Sequence, residues 1–154
     1  MSEHALLAKE LFYKGYNCSQ AVFCAFCDVT GINVDTAARL SSSFGGGLAR
    51  MREVCGTVSA AAMVLGIVRG YSTPGDMELK NAHYRLVRDF AARFRERFGS
   101  INCRELLTGA GIDAGAGGDS SERTAEFYKK RPCPELVCGA AEIIDQMLSE
   151  GEGQ

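Results

Sequence analysis

Apolar residues recur at intervals of three and four along almost the whole chain, and glycine interrupts one run after another. That spacing puts apolar side chains on one face of an α-helix, whereas a half-buried strand needs strict alternation. Residues 3–13 carry Leu6, Leu7, Leu11 and Phe12 and stop at Gly15, and residues 18–29 carry Ala21, Val22, Ala25 and Phe26 before Gly31. A third helix is expected over 34–44, behind Asn33. It runs into Gly45-Gly46-Gly47, where a helix continues only at a cost and the backbone is free to take unusual angles. The fourth, over 55–71, is rich in small residues (Gly56, Ser59, Ala60, Ala61, Ala62, Gly66) that let neighbouring helices pack closely.

Pro74-Gly75-Asp76 reads as a turn and a helix start. The helix it opens repeats Leu79, His83, Leu86, Val87, Phe90, Phe94 and Phe98 at three and four and ends at Gly99. This stripe is read as core, and His83 as a core or boundary histidine. A short helix over 103–107 precedes a flexible stretch, 109–121, of Gly, Ala and Asp. The last helix starts at Pro134 and carries Leu136, Ala140, Ile143, Ile144 and Met147. No strand pair and no internal repeat emerges. The expected architecture is all-α: one compact helical bundle of about five to seven helices over residues 1–150, with a glycine-rich loop and a disordered tail at 151–154.

At 154 residues, 46% hydrophobic and 23% charged, the chain has the material for one well-filled core. A net charge of −2 excludes a basic nucleic-acid platform. The basic run 85–97 is interleaved with Asp89, Glu96 and apolar residues at helical spacing. No signal-like segment opens the sequence. The most apolar run, 54–68, is broken by Gly56, Thr57 and Ser59 and falls short of the roughly 20 residues of a membrane span. No membrane insertion and a cytoplasmic location are expected.

Seven cysteines are the anomaly: Cys18, Cys24, Cys27, Cys55, Cys103, Cys133 and Cys138. An odd count without a secretory signal argues against a disulfide framework and leaves buried hydrophobes, redox thiols or metal ligands. Asn17-Cys18-Ser19-Gln20 and Asn102-Cys103-Arg104-Glu105 both resemble a capping box. Cys133 precedes Pro134, which is favoured at a first helical position, and Cys55 lies where the apolar helix begins. Four cysteines thus fall at four helix N-termini, where unpaired N–H groups and the helix dipole stabilise a thiolate. Cys24 and Cys27 form a C-x-x-C inside an apolar helix and read as two core cysteines one turn apart. Cys138, five residues after Cys133, does not share its helix face.

These residues resemble the redox-active family named for its C…GCAxxG…C…C cysteine pattern. The resemblance is carried by Gly15-Tyr16-Asn17-Cys18-Ser19-Gln20-Ala21, by Ser43-Phe44-Gly45-Gly46-Gly47 leading through Met51 to Val54-Cys55-Gly56, by Gly99-Ser100-Ile101-Asn102-Cys103-Arg104-Glu105-Leu106, and by Cys133-Pro134-Glu135-Leu136-Val137. Its four cysteines map onto Cys18, Cys55, Cys103 and Cys133. This chain has Thr57 and Ala60 where the family has alanine and glycine, and Cys24, Cys27 and Cys138 are extra to the pattern. The resemblance implies a small helical redox protein of bacteria and archaea. Through a similar region before the haem part of split-Soret-type cytochromes, it also points to an iron–sulfur centre. The C-x-x-C-H of covalent haem attachment is absent from the sequence.

The leading functional expectation is a redox protein using Cys18, Cys55, Cys103 and Cys133 together, with an unidentified redox partner. They serve either as ligands of an iron–sulfur cluster or another thiophilic metal, or as thiols in disulfide exchange. Four cysteines placed alike favour the ligand version. The alternative is a small-anion or nucleotide-binding module in which the backbone of Gly45, Gly46, Gly47 and Gly56 cradles an anion, assisted by Arg50 and Arg52. A third is a non-enzymatic helical interaction protein, with the small-residue face over 60–66 available to a homodimer. Glu53, Glu105 and Glu135, beside three of the cysteines, are candidate proton acceptors or ordinary helix-start acids.

Overall fold

A computed structural model describes residues 1–151. Among the described residues nine α-helices follow one another. They are α1 (Glu3–Tyr13), α2 (Cys18–Ala25), α3 (Cys27–Thr30), α4 (Val34–Ser41), α5 (Gly56–Arg69), α6 (Met77–Phe98), α7 (Cys103–Gly109), α8 (Ala125–Lys130) and α9 (Cys133–Gly151). The fold is all-α. Its one ladder feature among these residues is an isolated antiparallel bridge between Val54 and Asn102.

The helix count exceeds the expected five to seven because short helices leave too few turns to show a period. The helix expected over 18–29 breaks at Phe26 (φ −104°, ψ 19°), which ends α2 and starts α3. Phe26 is fully buried and stacks on the His4 ring at 4.1 Å, and His4 in turn bonds Asp28 and Asp145 at 2.9 and 2.7 Å. That contact ties α1, α3 and α9 together at the bend. The helix expected over 34–44 ends at Ser41 and tightens into a 3-10 turn, Ser42–Phe44. Helix α8 had no periodic signal at all. Gly151 is the last residue of α9, and the rest of the expected tail, 152–154, lies outside the described residues.

α2 is the hub. Ala21, Val22, Phe23, Cys24 and Ala25 are all buried, a helix apolar all round because it is enclosed all round. It packs against α1, α4, α5 and α9. Behind it α5 buries Val58, Ala60, Ala61, Val64 and Leu65, while Ser59, Ala62 and Gly66 of its small residues are half-buried. α6 lies against α5 and α9 and buries only Phe90 and Phe94, while Met77, Leu79 and Tyr84 at its far end are exposed. Emptying the Phe94 site by Phe94→Ala removes about 3–5 kcal/mol. Gly99, at φ 95°, ends α6 as expected. No helix among the described residues is long and apolar enough to cross a membrane.

Candidate functional site: a thiol cavity at four helix starts

Local sequence sets each helix start, and a few close approaches then bring the starts together. Asn17 caps α2 through a full capping box: its side chain accepts from Gln20 N at 2.9 Å, and Gln20 Oε1 accepts from Asn17 N at 3.0 Å. Its Nδ2 also donates to Ser42 O, tying the Cys18 turn to the end of α4. Asn102 caps α7 from the side chain alone, since Glu105 turns away to accept from Ser100. The bridge between Val54 and Asn102 is flanked by Cys55 N donating to Ile101 O (2.8 Å) and Cys103 N donating to Glu53 O (2.7 Å). One residue pair of β-geometry thereby aligns the starts of α5 and α7.

Glycine permits the remaining approaches. A Cβ on Gly56 would stand 2.6 Å from Phe44 O and 2.7 Å from Cys18 Sγ, so the Cys18 sulfur rests on bare α5 backbone. A Cβ on Gly47 would stand 2.6 Å from Cys103 Cβ, and one on Gly45 2.5 Å from Asn17 Cγ. Gly46, Gly47, Leu48, Ala49 and Arg50 have φ of 72°, 69°, 70°, 48° and 63°, and Arg52 follows at 59°. This is a left-handed turn, closed by Arg52 N to Gly46 O and Glu53 N to Gly47 O. Each L-residue in it costs about 1–2 kcal/mol, so surrounding contacts must hold it. Arg50 Nε donates to Gly117 O, Gly117 N to Arg50 O, and Arg52 Nε to Gly115 O. The glycine-rich loop is thus buttoned to the strained turn.

The result is a cavity of about 380 Å³ that Cys18, Cys55, Cys103 and Cys133 all line. Arg50, Arg52, Arg123 and Arg131 share its wall with Phe12, Leu106, Leu107, Phe127 and Leu136. All seven cysteines are free thiols. The neighbouring Cys55 thiol first, and then the backbone N–H groups of Gly46, Ser19 and Gly56, work against burial and bring the Cys18 thiol down to about 7. The same proximity, then burial and the Cys18 charge, pushes Cys55 well above the usual thiol range, although the Thr57 hydroxyl at 3.1 Å works the other way. Burial raises Cys103 despite the Arg52 guanidinium 3.6 Å away. Burial and then Cys18 push Cys133 up to about 12. The negative charge of the site therefore belongs on Cys18.

The other candidates lie elsewhere. Cys24 points at Val34 O from within the core, Cys27 opens α3, and Cys138 reaches Glu142; none lines the cavity. Nor do Glu53, Glu105 or Glu135, the last of which pairs with Lys9. Gly45 and Gly46 line the cavity, whereas Gly47 and Gly56 act from behind it by admitting the cysteines. Among the described residues no three Cys, His, Asp or Glu side chains are grouped to hold one ion. Sequence reasoning missed Arg123 and Arg131. Arg131 stands two residues before Cys133, and that adjacency was the available signal; Arg123 sits in a loop with none.

Comparison with curated proteins and with solved structures finds no match. What relates the chain to others is its cysteine pattern. Residues 16–147, which take in all four cavity cysteines, match the family described as "Putative redox-active protein (C_GCAxxG_C_C)", and the chain belongs to that family.

Proposed function

We propose that this protein is a dithiol redox protein whose working pair is Cys18 and Cys55. The observation that carries the reading is the placement of both thiols on one cavity wall, with the Cys18 sulfur resting on the bare backbone of Gly56, the residue that follows Cys55. The Cys18 thiolate attacks one sulfur of a disulfide substrate; the substrate S–S bond breaks, one thiolate leaves, and a mixed disulfide forms on Cys18. Cys55, losing its proton as it attacks, displaces the second substrate thiolate and closes a Cys18–Cys55 disulfide. The substrate gains two electrons and the protein loses two. A reducing, cytoplasmic setting keeps the pair poised as thiols.

The test is oxidation of the reduced protein under nitrogen, with thiol counting and mass mapping. Two thiols lost per chain, a peptide bridged through Cys18 and Cys55, and full recovery on reduction support the reading. Independent alkylation of both residues after oxidation overturns it.

A second reading, favoured by the placement of four thiols on one cavity, is a thiolate-held iron–sulfur cluster or thiophilic metal. Its donor chemistry suits Cys18, Cys55, Cys103 and Cys133. Their present grouping does not, since no three share a position from which to hold one ion. Stoichiometric iron and acid-labile sulfide in anaerobically prepared protein, lost in Cys55→Ser, would establish it over the dithiol reading.

A further inference from the structure

Four guanidinium groups on the wall of a part-enclosed cavity, in a protein whose net charge is −2, are a concentration of charge that calls for a counter-charge. No Asp or Glu lines the cavity, and none of the ion pairs among the described residues involves Arg50, Arg52, Arg123 or Arg131. Arg52 is 5% exposed, which leaves its charge little water. Three of them crowd one another: burial, and after it Arg52 and Arg50, draw Arg131 below its usual range although Cys133 works the other way. A Cys18 thiolate answers one positive charge and leaves three. Unpaired charge in such a place is costly, and here it is held on a strained left-handed turn that presents Arg50 and Arg52.

We propose that the cavity takes a small anionic disulfide, its carboxylate groups held by Arg50 and Arg131 and its S–S bond presented to Cys18. Arg52 and Arg123 add their positive field, since their N–H groups already donate to Gly115 O and Cys103 Sγ and to Phe12 O and Tyr16 O. The inference rests on the dithiol reading and adds the substrate class. Guanidinium groups suit carboxylates because the planar fork donates two parallel N–H bonds. The apolar wall of Phe12, Leu106, Phe127 and Leu136 suits methylene and sulfur atoms between the charged ends. The volume, about 380 Å³, lies at the small end of small-molecule sites and disfavours a folded protein's loop.

The experiment gives reduced protein three disulfides of different charge: dithiodiglycolate (dianionic), hydroxyethyl disulfide (neutral) and cystamine (dicationic). Each single-turnover rate is divided by that of a free thiol with the same reagent. The expected order is dianion over neutral by about tenfold or more, with the dication slowest. The preference should shrink with added salt and in Arg131→Gln and Arg50→Gln. Salt needs no variant to fold, so it tests the charge effect on the native protein. Equal normalised rates for all three reagents, or a faster dication, overturn the proposal while leaving the dithiol reading standing. A parallel arm compares alkylation of Cys18 by iodoacetate and by iodoacetamide. Iodoacetate preferred while no disulfide is reduced overturns the dithiol reading, and the disulfide as substrate with it.

Discussion

The molecule contains two pairs of neighbouring thiols, and they are opposites. Cys24 and Cys27 have the spacing that sequence readers associate with redox chemistry, yet burial pushes both thiols up, Cys24 to about 11, and Asp28 raises Cys27 further. Cys18 and Cys55 are 37 residues apart in sequence, yet the Cys55 thiol and the N–H groups of Gly46, Ser19 and Gly56 bring Cys18 to about 7. Spacing alone does not make a reactive thiol. Donors aimed at the sulfur do, and here they come from two helix starts and a strained turn.

The sharpest way to break this comparison is substitution. Cys18→Ser should abolish reversible disulfide formation altogether, and Cys24→Ser should leave it intact, both read by mass mapping after oxidation. Loss of activity in Cys24→Ser with an unchanged thermal midpoint would put the working pair in the wrong place.

The next largest contrast is in rate. With Cys18 near 7 and Cys24 near 11, their thiolate fractions at neutral pH differ by about several thousandfold. The less basic thiolate is intrinsically the poorer nucleophile, with a slope of about 0.4–0.5, which leaves roughly a hundredfold in favour of Cys18. The thiolate is the deprotonated form, so alkylation of Cys18 should climb as pH rises through about 7 and then level off. Alkylation of Cys24 should still be climbing toward 11. A Cys18 profile without an inflection near neutrality would remove the electrostatic difference between the pairs.

Gly56→Ala probes the close approach. The added methyl meets Phe44 O and the Cys18 sulfur inside ordinary contact distance, and both are hemmed in, so overpacking of about 1–3 kcal/mol is expected. The sulfur should also lose the Gly56 N–H, slowing Cys18 alkylation at neutral pH. Ala at Gly66, where nothing lies within 4 Å, is the control and should leave both readouts unchanged.

Much of this arrangement is readable in the chain because its causes are local. Asn17, Asn33, Asp76 and Asn102 announce helix starts with their own side chains, and a thiol one residue later is placed by the same signal. The features that were not readable are those made by distant partners. Leu48, Ala49, Arg50 and Arg52 carry no mark of a left-handed backbone, which is held by contacts with Gly115 and Gly117 more than sixty residues away. A single bridged pair, Val54 and Asn102, has no alternation to detect. Arg123 and Arg131 lie outside any periodic run, so their convergence on the cysteines exists only in three dimensions. The expectation of four ligands grew from four like placements; the fold brings all four thiols to one cavity, with Cys55 buried and Cys18, Cys103 and Cys133 half-buried.

The smallest expected effect tests the side chain behind the pair. Thr57 is fully buried and sets its hydroxyl 3.1 Å from the Cys55 sulfur. A sulfur accepts weakly as a thiol and strongly as a thiolate, so the Thr57 hydroxyl contact strengthens as Cys55 ionises during attack on the mixed disulfide. Thr57→Ala should therefore leave Cys18 alkylation almost unchanged and slow the closing step several-fold, in line with about 0.5–1.5 kcal/mol for one hydrogen bond. Valine in its place keeps the volume without the hydroxyl and should slow closure equally, whereas serine should restore it. If Thr57→Val and Thr57→Ser close at the same rate, the hydroxyl is only filling space. The asymmetry between the two thiol pairs would then rest on backbone donors alone.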